Sequence, residues 1–292
     1  MEDLHIVTVV NESKYYFPYL VESCKRNGKE LEVLGLGETW TGFNFKYKKM
    51  ADYLKTLPET DIVCFVDGFD VICTRDLIEI KEIFLKLKAE TDCKMIVGDD
   101  KLVITEFLHF FSSLYFGNCN GEYLNSGTYI GYVKDLSEIL NKILKANSSD
   151  DADDQRIMIE YCNRYPGEIY LDKNNKLFLA LAYPGLELDS LFRINEDLVS
   201  YNNENPFFVH AMGGGYLENT IRKLGYSIND ETKNKLFYDN IKKSFYLPYP
   251  RFIMFVILFY VFTIVYFLYF YSIHKIILKT IRRVPGFIAK ID

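Results

Sequence analysis

Unbroken apolar runs alternate with helical repeats along the first half of the chain. LHIVTVV (4–10) has the length and composition of a buried strand. A helical stretch follows through about residue 27 and stops at Asn27-Gly28, a C-terminal helix signal. LEVLGLG (31–37) predicts a second strand and a glycine-rich turn, followed by a helix over 45–57 and a strand over 62–66. The amphipathic DLIEIKEIFLKLKAE (76–90) leads to a strand at KMIVG (94–98). Further on come a strand at TYIGYV (128–133), helices over 134–146 and 154–163, and short strands near 168–171, 177–182 and 207–210. This alternation predicts an α/β fold, a parallel-centred sheet with helices on both faces. Ligands of such sheets bind beyond the carboxyl ends of the strands. That rule singles out Thr8 and Val9, the loop GLGETW, and Asp67 to Asp70.

The pattern changes near the C-terminus. FIMFVILFYVFTIVYFLYFYSI (252–273) runs 22 positions without a charged side chain. As a helix it would span about 33 Å, enough for a bilayer core. Tyr260, Tyr266, Tyr269 and Tyr271 suit a membrane interface. The expected organisation is a body over 1–245, a connector over 246–251, a single-pass transmembrane helix over 252–273 and a basic tail over 274–292. Lys275, Lys279, Arg282 and Arg283 follow the span, while Lys242, Lys243 and Arg251 precede it, so the flanking charges give little asymmetry. The opening MEDLHIVTVVNESK has neither the basic region nor the apolar run of a signal peptide. The expectation is therefore a cytosol-facing body held at a membrane by its tail.

Charge divides along the same line. Six basic residues against one acid after residue 250 give that part +5, leaving −11 for residues 1–250 and −6 in all. An acidic body argues against a nucleic-acid partner. The six cysteines, Cys24, Cys64, Cys73, Cys93, Cys119 and Cys162, include no C-x-x-C pair, which argues against a zinc site. Their even number permits disulfides without requiring them. Asn11-Glu-Ser and Asn147-Ser-Ser are glycosylation acceptors only in a luminal body.

Four stretches carry candidate chemistry. DGFD puts Asp67 and Asp70 at a strand end. Two carboxylates there can ligate Mn²⁺ or Mg²⁺ while open positions take diphosphate oxygens, or they can simply cap a turn. In YLNSGTYIGYV, Asn125-Ser126-Gly127 offers small polar groups to sugar hydroxyls, or makes an ordinary turn into a strand. Asp150, Asp151, Asp153 and Asp154 open a helix, where capping accounts for one of them and a sugar contact or proton transfer is open to the others. FFVHAMGGGY ends a strand with His210 before a glycine run that includes Gly213 and Gly214. The histidine suits either a metal site or a structural role, and the glycines would let backbone approach phosphate. Trp40, the sole tryptophan, stacks on a base or sugar or else packs in the core.

Taken in order, VLGLGETW, FVDGFDVI, YLNSGTYIGY, DADDQ and FFVHAMGGGY resemble the glycosyltransferase domain of the procollagen lysyl hydroxylase family over about residues 4–225. The resemblance implies a GT-A fold with a mixed, parallel-centred sheet, a Mn²⁺ ion and a UDP-sugar donor, with UDP-glucose or UDP-galactose expected. It implies Asp67, Asp70 and His210 as metal ligands and Phe69 as an aromatic against uridine. Thr8, Val9 and Trp40 would line the nucleotide pocket, and Asn125, Asp153 and Asp154 would face the transferred sugar. Two departures bear on phosphate contacts and acceptor choice. HAMGGGY stands where the family has a Gly-Asn-Gly-Pro-type sequence, and DDKLVITEFLHFF replaces a tryptophan-containing segment. The expected activity is hexosyl transfer to a protein or glycan hydroxyl, a hydroxylysine-linked or collagen-like one included, without hydroxylase activity. The alternative is a membrane-tethered, catalytically silent sugar-nucleotide or glycan binder.

Overall fold

The computed structural model describes residues 2–101, 117–147, 149, 152–181, 193–195, 198–201, 203–212, 217–229, 232, 235, 236, 239 and 250–281. Side chains of the C-terminal helix are described at 258–270, 272, 273, 275 and 276. The chain divides into two units, Met1–Asn240 and Ile241–Asp292.

In the first unit, β1 (Leu4–Val9), α1 (Phe17–Arg26), β2 (Leu31–Leu34), α2 (Asn44–Leu54), β3 (Ile62–Val66), β4 (Val71–Cys73), α3 (Ile80–Thr91) and β5 (Met95–Lys101) follow one another. Next come β6 (Leu124–Tyr132), α4 (Val133–Ala146), α5 (Asp154–Arg164), β7 (Ile169–Asp172) and β8 (Phe178–Leu181). The hairpin strands β9 (Arg193–Asn195) and β10 (Leu198–Ser200), then β11 (Phe208–Ala211) and α6 (Glu218–Lys223), complete it.

Among the described residues nine strands form one mixed sheet in the order β2-β1-β3-β6-β5-β8-β11-β4, with β7 also paired to β5. β2, β1 and β3 are parallel, as are β5 with β7 and β8, and β8 with β11. β6 and β4 run against their neighbours. The side-chain alternation of β3 explains why helices cover both faces. Val63 and Phe65 pack with residues of α2, α4 and α5, whereas Ile62, Cys64 and Val66 pack with residues of α1 and α3. α4 buries Val133, Leu136, Leu140 and Ile143, the three-to-four-residue spacing of a single helix stripe.

Three differences from the sequence reading matter to the site. β6 begins at Leu124, so Asn125-Ser126-Gly127 belongs to a strand instead of preceding one. β4, three residues long, follows Asp70 directly and carries too short a pattern to read. β5 has an irregularity between Val97 and Gly98, after which Gly98 lies opposite Asn125. Such a bulge re-aims the side chains beside it.

The second unit contains helix α7 (Pro250–Ile281), on which the expected span 252–273 falls. Most of its described aromatic side chains are open, Tyr260 at 62% and Phe267 at 67% exposure. Among the described residues no helix is long and apolar enough to cross a membrane, so the transmembrane helix expected over 252–273 is not found there.

Candidate metal and sugar-nucleotide site

β3 ends at Val66, and the next residues, Asp67 to Asp70, turn into β4. β4 pairs antiparallel with β11, setting Val71 opposite His210, and the Ala211 N–H donates to the Asp70 carbonyl at 2.8 Å. The same turn is tied to β6, where the Asp67 N–H donates to the Gly127 carbonyl at 2.8 Å. Three strands distant in sequence thus bring Asp67, Asp70 and His210 together, with one ligand atom from each lying within 4.8 Å of the others. His210 Nε2 stands 3.2 Å from Asp70 Oδ1 and 3.9 Å from Asp67 Oδ2.

Two glycines make this approach possible. A Cβ on Gly127 would lie 2.3 Å from His210 Cε1 and 2.6 Å from Asp67 Oδ2. A Cβ on Gly68 would lie 2.1 Å from Val10 Cγ1, so the Asp67–Asp70 turn can lie against the strand-β1 end only with glycine there.

Hydrogen bonding sets the histidine tautomer. Asn125 Oδ1 accepts from the Gly127 N–H at 3.0 Å, which fixes the orientation of its amide. The same oxygen lies 3.0 Å from His210 Nδ1, so Nδ1 carries the proton and Nε2 presents its lone pair toward the carboxylates. His210 is 2% exposed, and Nε2 makes no hydrogen bond. A buried imidazole nitrogen left without a hydrogen bond beside two carboxylates fits a metal ligand oriented from behind. Burial favours neutral His210, but the charges of Asp70 and Asp67 outweigh it and raise its pKa. The Asp67 carboxyl is also raised, by burial foremost and by Asp70 and Asp154, with Lys46 and His210 opposing. Its side chain keeps 24% exposure, enough for the carboxylate to open onto solvent.

Lys46, which the sequence reading passed over, joins the metal cluster to the acids of α5. It is 7% exposed and lies 2.8 Å from Asp67 Oδ1 and 2.5 Å from Asp154 Oδ2. Burial opposes its charge, yet the Asp154 and Asp67 carboxylates hold its pKa above the usual lysine value. Ser126 Oγ also donates to Asp154 Oδ2, at 3.2 Å, and Tyr47 OH to the Asp154 carbonyl at 2.8 Å.

The two adjacent acids therefore differ. Asp153 is the N-cap of α5, accepting from the Arg156 N–H at 2.9 Å. Burial and the Asp154 charge raise its carboxyl despite that bond. Asp154 turns inward to Lys46 and Ser126.

The other predicted residues have varied surroundings. Thr8 is fully buried with its hydroxyl unpaired, and Val9 packs its side chain into the core. Phe69 meets the Tyr15 ring edge-on at 5.6 Å. Trp40 is partly buried against Phe45 at 5.2 Å, beside the exposed Phe43. Gly213 and Gly214, with Asp150 and Asp151, lie outside the described residues. Asn125 meets His210 and, through Nδ2, the Met212 thioether.

Among proteins of known kind, the chain is 25% identical over 256 residues to a multifunctional procollagen lysine hydroxylase and glycosyltransferase of Caenorhabditis elegans, covering 81% of this chain and 34% of that one. It is 26% identical over 196 residues to human procollagen-lysine,2-oxoglutarate 5-dioxygenase 2, covering 62% of this chain and 25% of the relative. The chain thus spans about a third or less of either relative's length. A solved glycosyltransferase involved in glycosylation of the major capsid of PBCV-1 aligns with a TM-score of 0.48 at 13% identity, covering 71% of this chain and 93% of its own. The sequence profile of the PLOD GT domain matches residues 1–240, and the chain belongs to that family of glycosyltransferase domains.

Proposed function

We propose that the body is a metal-dependent hexosyltransferase that moves glucose or galactose from a UDP-sugar to a hydroxyl on a protein or glycan. One observation carries the reading: Asp67, Asp70 and the lone-pair-bearing Nε2 of His210 converge at a strand end in a chain of this family. Two carboxylate oxygens and one imidazole form a donor set that suits Mn²⁺ and leaves positions open for a ligand. Bound there, a divalent ion would neutralise the donor's diphosphate and offset charge on departing UDP.

The chain's own groups have separable tasks. Asn125 holds the His210 tautomer, so its contribution passes through the histidine as well as through any sugar contact. Lys46 keeps Asp154 in place and compensates charge between Asp67 and the sugar side. Asp153, whose carboxyl is raised by burial, serves as the proton acceptor. Phe69, Trp40, Thr8 and Val9 serve the nucleotide. The uncharged run over 252–273 is the part that would associate with a membrane, at its surface, since no helix among the described residues is long and apolar enough to cross one.

The test is UDP release from a panel of UDP-sugars with Mn²⁺ present, repeated with chelator and with Asp67→Ala/Asp70→Ala. Release from UDP-glucose or UDP-galactose that both controls abolish supports the reading. Release that survives chelation and the double substitution refutes it.

A further inference from the structure

Cys119 and Cys162 are joined in a disulfide with their Cα atoms 5.6 Å apart, and both are buried, at 3% and 1% exposure. Cys119 stands in the turn before β6, where it exchanges two backbone hydrogen bonds with Glu122, at 2.8 and 3.0 Å. Cys162 lies on α5, about two helical turns beyond Asp154. The bond therefore links the approach to Asn125 and Ser126 with the helix that begins at Asp153-Asp154.

Other contacts join the same two segments without sulfur. The Asn120 N–H donates to Asn163 Oδ1 at 3.0 Å, and Asn163 Nδ2 donates to the Asn118 carbonyl at 2.7 Å. Asn120 and Asn163 are exposed, so water competes for these bonds. At the other end of the helix, Ser126 holds Asp154. α5 is pinned to the β6 segment at both ends, and the cystine is the only covalent tie described there. A helix moves as a unit, so a shift at Cys162 displaces Asp154 from Lys46.

We propose that the Cys119–Cys162 cystine is a positioning element for the sugar side of the site, and that full turnover requires it intact. This rests on the glycosyltransferase reading above. The bond forms when the two thiols give up two electrons and two protons to a disulfide-bearing oxidant through thiol–disulfide exchange. A dithiol reverses it, returning two cysteine thiols and leaving as a cyclic disulfide. Cystines of this kind persist in oxidising surroundings, so this proposal expects the body outside the reducing cytosol.

The full chain, purified in detergent without reductant, provides the test. Cys24, Cys64, Cys73 and Cys93 are free and buried, so alkylation after denaturation should count four thiols, rising to six after dithiol. Reducing the folded protein should lower kcat several-fold while UDP affinity stays within about twofold, because no metal ligand lies on α5 or the turn. It should also speed amide exchange over residues 154–158, with activity and slow exchange both returning on reoxidation. Cys119→Ser/Cys162→Ser should match the reduced protein; should that variant fail to fold, reversible reduction of the unaltered chain decides. Six thiols before reduction, or unchanged kcat and exchange after a rise from four to six, overturns the proposal. If neither form turns over a UDP-sugar, the exchange measurement decides alone: faster exchange at the start of α5 supports positioning, and unchanged exchange refutes it.

Discussion

At Gly127 a single methyl would overlap both His210 and Asp67, at 2.3 and 2.6 Å. Gly127→Ala is therefore expected to cost about 1–3 kcal/mol through overpacking and to weaken metal binding at least tenfold. Thermal melts and a Mn²⁺ titration check the two effects. Lys46 makes the opposite kind of prediction. Lys46→Met keeps most of its volume but leaves Asp67 and Asp154 facing each other without a cation. Breaking a buried pair costs roughly 3–5 kcal/mol, and the 24% exposure of Asp67 puts this case at the lower end. Turnover should fall more than tenfold because Asp154 loses its anchor. A variant that melts and turns over like the unaltered chain would remove Lys46 from the site. Asp67, Asp70 and His210 were legible as residues because they sit in recognisable strings. Lys46 was not, since KYKKM looks like a solvated, basic helix face. Its one signal was phase: Lys46, Met50 and Leu54 share a helical stripe, and the latter two are core.

Among the elements of the first unit, the longer helices follow from periodicity and β3 from its apolar run, and their ends agree with the pattern to within a few residues. β4 escaped because three residues carry no period, and the start of β6 escaped because Asn-Ser-Gly has turn chemistry. What overrides that local preference is pairing of Leu124 and Asn125 with the bulged β5 on one side and, on the other, the Asp67 N–H bond to the Gly127 carbonyl. The edge of the sheet remote from Asp67 has its own polar cluster. His5 on β1 lies between Glu32 on β2, at 2.7 Å, and Asp61 ahead of β3, at 3.2 Å, and Tyr53 OH of α2 bonds to Glu32. Burial raises the Asp61 carboxyl, but the Asp3 N–H and His5 outweigh it and hold its pKa below the usual value. Its contribution to stability is thus fully present above the ordinary aspartate value of about 3.9 and is lost as pH falls through the depressed one. Asp61→Asn should lower stability at neutral pH and flatten its decline below about pH 4. An unchanged acid-unfolding profile would show that this carboxylate is not linked to folding.

For the whole molecule, the mixed sheet does what no local pattern encodes. It folds residue 210 back onto residues 67–70 through β4–β11 pairing and closes the cluster from behind with β6. Family resemblance brings the three residues together as ligands; spacing alone leaves Asp67-x-x-Asp70 open between a metal site and a turn, and His210 between a metal ligand and a structural strand end. The second unit leads to a separate expectation. With α7 present, the chain should float with phospholipid vesicles in a density gradient, and residues 1–240 should remain at the bottom. Equal behaviour of the two would remove the membrane from the account.

The most direct test of the central claim is a calorimetric titration of UDP into the body with and without Mn²⁺, alongside His210→Ala. The account predicts UDP binding that requires the ion and is lost when His210 is removed. UDP binding of equal strength in all three samples would contradict a nucleotide site built on Asp67, Asp70 and His210.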